Sequence, residues 1–190
     1  DRGTYKRQVR DGLQFLLRSM QIGEHGGDLQ GVGAQRIRTG MYVQGLAAIA
    51  LCEAYAMSLP PDAATDDDGE LGDENGEDER REAARKRISR QLRSRRALPL
   101  EEGAQYAIDY IMEAQDTTGG GWRYTPRSRG DTSVVGWQVM ALQSARAGRL
   151  STRPEVFERV QYFLDSVSAD ESAQYGYMSP EIGRHSTTAI

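Results

Sequence analysis

Residues able to do chemistry are few in this chain of 190 residues. The densest set is the stretch Trp122-Arg123-Tyr124-Thr125-Pro126-Arg127-Ser128-Arg129-Gly130-Asp131. It puts three arginines and an aromatic ring just ahead of a single carboxylate. Guanidinium groups fork onto phosphates and carboxylates and stack on aromatic faces, so Arg123, Tyr124, Arg127 and Arg129 are the candidate binding residues for an anionic ligand. Asp131 is the one candidate acid. Its position before Thr132 and an apolar helical run also makes it an N-cap, whose carboxylate accepts amide hydrogen bonds of the first turn and contributes about 1 kcal/mol. Other reactive residues are scattered. Cys52 lies inside an apolar helical pattern and reads as a packed small hydrophobe. His25 and His185 stand alone, so neither a metal site nor a serine-histidine-aspartate arrangement can be assembled. Asp66-Asp67-Asp68 sits among glycines and other acids, where water solvates it. Gly31-Val32-Gly33 has no strand before it and no third glycine, so it makes no dinucleotide loop. No catalytic residue beyond Asp131, no metal and no cofactor is expected.

These residues are positioned by internal repeats. Shifting the chain by 53 places Val160, Phe163, Leu164 and Val167 on Ala107, Tyr110, Ile111 and Ala114, and each run leads into a glycine turn with aromatics. Gly12 to Gln21, followed by Gly23, Gly26 and Gly27, repeats the order of events near the start. A second helix type alternates with the first: Gly45 to Tyr55 aligns with Gly136 to Arg146, small residues standing where two helices approach closely. Thr39 and Asp131-Thr132 mark their starts. Apolar residues at spacings of three and four (Leu13, Leu16, Leu17, Met20) support amphipathic helices. Pro99 with Glu101 and Glu102, and Pro154 with Glu155, supply first-turn prolines and carboxylates. Gly148 is the expected left-handed stop of its helix. No stretch alternates as a strand would, so none is expected.

The expected architecture is therefore all-α, with helical hairpins over about 5–58, 99–148 and 154–190, the last cut short at His185 to Ile190. Residues 60–98 form a charged insertion: ten carboxylates between Asp62 and Glu79, then nine Lys and Arg between Arg80 and Arg96. A stretch so poor in apolar residues cannot offset chain entropy by burial and is expected to be disordered.

Composition sets the outer limits. With 24 Lys+Arg against 28 Asp+Glu the net charge is only −4, which argues against a dedicated nucleic-acid binder. One cysteine excludes a disulfide framework. The longest apolar run, Met41 to Leu59, is broken by Gln44 and Glu53, so no membrane span is expected. A chain opening on Asp1 reads as a processed or excised piece.

Tyr110, Ile111, Gln115, Gly121 and Trp122 resemble, in type and spacing, the glutamine-tryptophan repeat of squalene-hopene cyclases, and the hairpin scheme resembles the prenyltransferase and squalene-oxidase repeat family. The likeness covers most of the chain outside the insertion. One copy is close; the first has Leu29 or nothing where Trp belongs, and the third has Ser168 for Gln115. In that family, paired helices stack into an α/α toroid of inner and outer helices, and three hairpins would make about half a ring. The resemblance makes Tyr110, Gln115, Gly121 and Trp122 scaffold residues, the glutamine bonding orphaned helix-end groups and the tryptophan burying a large face.

Type II cyclases resembling this fold use an Asp in a DxDD motif, where this chain offers Gly130-Asp131-Thr132-Ser133. Similar prenyltransferases bind zinc through Asp, Cys and His, and thioester members need Cys-Gly-Glu-Gln; neither set is present. The resemblance thus implies a toroid segment that is non-catalytic here and acts as a binding or scaffold module, its ligand anionic or isoprenoid, self-associating through open repeat ends. The alternative it implies is part of a cyclase or prenyltransferase with its acid motif elsewhere.

Overall fold

In the computed structural model the described residues are 3–31, 39–60, 98–169, 174–181 and 187–188. The expected insertion at 60–98 falls almost wholly outside them, as do His185, Val32 and Gly33. The chain runs through α1 (Lys6–Ser19), β1 (Gln21–Gly23), β2 (Gly26–Asp28), α2 (Gly40–Ala56), α3 (Leu100–Glu113), α4 (Thr132–Ala147), α5 (Pro154–Val167), β3 (Ser168–Ala169), β4 (Gln174–Tyr175) and β5 (Thr187–Thr188). It is helix-rich, with two small antiparallel sheets, β1-β2 and β3-β4-β5.

The strands correct the expectation that there are none. They run two or three residues each, too short to show alternation. The first pair is the expected glycine turn itself, closed into a hairpin with Gln21 opposite Asp28 and Gly23 opposite Gly26.

Helices α2 and α4 pack extensively on each other, and α2 also packs on α3. Their interface is lined by small and aliphatic residues: Ala48, Leu51 and Cys52 of α2, Ala104, Ala107 and Ile108 of α3, and Val135, Ala141 and Leu142 of α4 are all buried. Gly45 lets α2 approach α4 at Gln138, where a Cβ would stand 2.9 Å from Nε2.

Repetition of backbone contacts is the strongest feature of the fold. Gly26, at φ +104°, lies on the α3 backbone at Tyr106 and Tyr110, and Gly120, at φ +75°, lies on the α5 backbone at Arg159. Tyr106 and Arg159 are 53 residues apart. A second contact recurs with its acceptors at the same spacing and its donors 91 residues apart: the Met41 amide donates to the Tyr124 carbonyl (3.2 Å) and the Thr132 amide to the Tyr177 carbonyl (3.1 Å). Met41 and Thr132 occupy matching first-turn positions when Gly45 is laid on Gly136.

Helix ends follow the sequence with two exceptions. Asp131 caps α4 through its side chain, and Pro154 occupies the first turn of α5. Thr39 precedes α2 without a side-chain cap, and Tyr124 of the next loop supplies the acceptor instead. Gly148 is not left-handed (φ −83°); Arg149 is, at φ 55°. The Leu150 amide reaches the Ala145 carbonyl and the Arg149 amide the Arg146 carbonyl, a Schellman closure with arginine at the position glycine prefers. Gly148 is instead buried where Tyr55 and Ala56 come close.

Gly120→Ala should lower stability by more than about 1 kcal/mol, because the position needs positive φ and its Cβ would collide with backbone. Gly136 sits mid-α4 with open space around it, so Gly136→Ala should raise stability by roughly 1 kcal/mol. Paired denaturant melts of the two variants check the contrast.

Candidate functional site

Loop 114–131 begins by closing the α3 C-terminus. The last carbonyls of a helix lack intrahelical partners, and here each finds one. Tyr110 accepts from the Ala114 amide, Met112 from the Gln115 amide, and Ile111 from the Trp122 indole at 2.8 Å. Glu113 accepts from Arg127 Nε at 3.2 Å, and the Ala114 carbonyl from the Arg127 amide at 2.8 Å. Gln115, fully buried, donates through Nε2 to the carbonyls of Gly120 (2.8 Å) and Val156 (2.9 Å), tying the loop to the first turn of α5. Asp116 folds the glycine turn by accepting the amides of Thr118 and Gly119. Tyr110 reaches the other way: its hydroxyl accepts from Gln30 Nε2 at 2.8 Å.

The loop then returns to the N-terminus of α4, where the polar side chains converge. The Asp131 amide donates to the Trp122 carbonyl, and its side chain is fully buried. Oδ1 accepts from the Val134 amide (3.0 Å) and from the Ser133 hydroxyl (2.6 Å). Because Ser133 spends its proton there, the Tyr42 hydroxyl donates to Ser133 Oγ at 2.6 Å, forming a chain Tyr42 to Ser133 to Asp131. Oδ2 has no hydrogen-bond partner and faces Arg123 Nε at 3.5 Å, an ion pair outside hydrogen-bond geometry. The Arg123 guanidinium also lies 5.5 Å from the Tyr124 ring centroid. The Tyr124 ring stacks against Tyr42 at 6.0 Å, and its hydroxyl meets that of Tyr177 at 2.8 Å. Burial, the bond to Tyr124 and the nearby Asp131 carboxylate push the Tyr177 phenol up to about 12. Tyr42, Tyr124 and Tyr177 are half-buried.

Of the sequence candidates, Arg123, Tyr124 and Asp131 come together, while Arg127 and Arg129 do not join them. Arg127 caps α3 and faces Glu113 Oε2 at 3.6 Å; Arg129 donates to the Met178 carbonyl at 3.1 Å. Tyr42, Ser133 and Tyr177 are members that residue types alone did not reveal. Laying the repeat on itself would have found Tyr177, which stands 53 positions after Tyr124. Cys52 is buried, and burial, then Glu53, push its thiol up to about 12. His25 is exposed at the tip of the β1-β2 hairpin. Among the described residues no group of three His, Cys, Asp or Glu could hold a metal, and no helix is long and apolar enough to cross a membrane.

Chemically the cluster is a capped helix start. The acid that could protonate a substrate has its Oδ1 lone pairs committed to the first turn and its Oδ2 turned to an arginine. The hydroxyls of Tyr42, Tyr124 and Tyr177 lie around it, the Tyr177 phenol pushed up by burial. No protein-family model, curated protein or solved structure matches the chain.

Asp131→Ala should cost roughly 1–2 kcal/mol through loss of the cap, measurable as a shifted denaturation midpoint. The pH response has a fixed sign. Cys52 rises from 9.0 to about 12 on folding, so between those values the unfolded chain holds fewer protons than the folded one. Stability is therefore full below about pH 9 and falls as pH climbs towards 12, with Tyr177 adding to the fall above its ordinary value of 10.0. Denaturation midpoints between pH 7 and 11 check it, and Cys52→Ala should make the fall shallower.

Proposed function

We propose that this chain is a segment of an α/α toroid of the prenyltransferase and squalene-oxidase repeat type, serving as a non-catalytic binding or scaffold module. In this reading α2 and α4 are inner helices and α1, α3 and α5 are outer ones. The support is the recurrence, 53 residues apart, of one glycine-on-helix approach at Tyr106 and at Arg159. A stack of unrelated helices has no reason to place the same contact at the same spacing, whereas repeats that bury one another's faces must. The bonds of Gln115 and Trp122 are those a glutamine-tryptophan scaffold requires.

The non-catalytic part rests on Asp131. Proton transfer to an alkene needs an acid open to an apolar pocket, and this carboxylate is wholly buried and engaged by Val134, Ser133 and Arg123. The surface left for a ligand is the rim made by Tyr42, Tyr124, Tyr177 and Arg123, aromatic and with one cation, which suits an isoprenoid or an anionic group. The stacked tyrosines also favour the second reading, part of a cyclase or prenyltransferase whose acid motif lies outside this segment.

Incubation with squalene and with farnesyl diphosphate, analysed by mass spectrometry, separates the two. The module reading expects no product from either, and a melting temperature raised by farnesyl diphosphate but not after Arg123→Ala. A product formed by the full-length protein, and still formed after Asp131→Asn, would establish the enzyme reading instead. Solution scattering tests the architecture alone: a curved wall is expected, and the profile of a compact bundle would overturn the toroid.

A further inference from the structure

The tyrosine rim continues into an apolar strip along α2 and α4. On α2, Gln44 turns to α3 and Gly45 to α4, and both are buried. On the side away from them, Tyr42, Leu46 and Ile49 recur at spacings of four and three and share a face. Leu46 there is 48% exposed. On α4, Ser133 bonds Tyr42, and Gly136 and Met140 follow it at spacings of three and four. Met140 is 52% exposed, and a Cβ on Gly136 would meet nothing within 4 Å. The two helices run side by side in one direction, since Gly45 lies on Gln138 while Ser144 Oγ donates to Glu53 Oε1 at 2.5 Å. From Tyr42 to Ile49 the strip rises about 10 Å, and neither helix carries a charged residue over that length. Glu53, another turn on, ends it with a carboxylate.

Arg123 stands at the head of the strip. Its guanidinium lies over the Tyr124 ring, which stacks on Tyr42, so cation, rings and strip are continuous. Asp131 Oδ2 faces its Nε at 3.5 Å; the side chain is 37% exposed and makes no hydrogen bond among the described residues. The free edge of a guanidinium, two parallel N–H groups, takes a carboxylate in bidentate fashion. Charge selects a head with one negative charge. Arg123 is already offset by the buried Asp131, while Arg127 and Arg129 are engaged by Glu113 and by the Met178 carbonyl. A diphosphate would place more negative charge beside a carboxylate that has no water to screen it.

We propose that the rim and this strip together bind a medium-chain carboxylate amphiphile, its head on Arg123 and its tail along Leu46, Gly136 and Met140. The proposal rests on the reading of the rim as a ligand surface and adds the head group and the path of the tail. Isothermal titration calorimetry of the intact protein with decanoate, hexanoate and decyl phosphate tests it. Decanoate is expected to bind at least tenfold more tightly than hexanoate, since each added methylene gives roughly fourfold when fully buried and less on an open strip. Arg123→Gln and Gly136→Glu should each weaken decanoate at least tenfold. Gly136→Glu removes a poor helix former from an open position. It should therefore melt no lower than the wild type in circular dichroism, which separates loss of binding from loss of fold. Equal affinity for the two chain lengths, or binding indifferent to Gly136→Glu, overturns the path of the tail. Decyl phosphate binding more tightly than decanoate overturns the carboxylate head. A dissociation constant for decanoate weaker than roughly 1 mM overturns the proposal outright. If farnesyl diphosphate then still raises the melting temperature through Arg123, the rim reading stands without the strip; if neither ligand acts, both fall.

Discussion

Gly26 and Gly120 set the pitch of this molecule. Each brings a loop onto the backbone of a later helix, Gly26 onto α3 and Gly120 onto α5, at a distance no side chain permits, and each does so with a positive φ that L-residues avoid. The approach fixes where that helix lies, and α3 offers its small residues Ala104 and Ala107 to the interface with α2. Gly121 and Gly130 continue the logic, two glycines whose Cα atoms are close enough that a Cβ on Gly130 would stand 2.7 Å from the Gly121 Cα. Phe163 packs over both. The two glycines stand 94 positions apart, and the backbone sites they meet, at Tyr106 and Arg159, stand 53 apart.

Close loops carry buried peptide groups, and buried peptide groups need partners. Three glutamines meet that need. Gln44 accepts the Leu29 amide at 2.7 Å and donates to the carbonyls of Gly27 and Ala107; Gln115 bridges Gly120 and Val156; Gln138 donates to Met41 at 2.8 Å. Each amide joins two elements from different parts of the repeat. A net hydrogen bond contributes only about 1 kcal/mol, but a slipped register would strand several buried groups at about 1–3 kcal/mol each. The glutamines therefore penalise wrong registers more than they stabilise the right one. A stack of similar helices lined by alanine, with many near-equivalent ways to slide, needs that penalty.

Much of this was written in the sequence where it depends on period and residue type. The helices and the Asp131 cap could be read there, because each follows from local spacing. What could not be read depends on which chain segment lies opposite. The strands, two or three residues long, are products of loop closure and carry no pattern of their own. Arg149 took the left-handed position expected of Gly148 because Gly148 lies buried beside Tyr55, a partner more than ninety positions earlier. Arg127 looked like a ligand for an external anion, yet the groups it meets are the Glu113 carbonyl and carboxylate. Guanidinium chemistry was inferred correctly and its partner was not, since a sequence does not show which anion is nearest.

The tyrosine rim follows from the same repetition. Tyr124 and Tyr177 stand 53 positions apart, and each gives its carbonyl to an amide at a helix start, Met41 of α2 and Thr132 of α4. That backbone bond pins both residues at the helix starts, so their hydroxyls meet as a by-product of stacking. Once met, they bury each other partly, and burial with the nearby Asp131 carboxylate pushes the Tyr177 phenol up. Arg123, reaching back to Asp131, leaves its guanidinium near the Tyr124 ring. The surface at the starts of α2 and α4 is thereby aromatic and edged by Arg123. Its polarity is set by how the repeats stack, so changing its chemistry without changing its shape would require substituting the hydroxyls and leaving the backbone contacts of Tyr124 and Tyr177 in place.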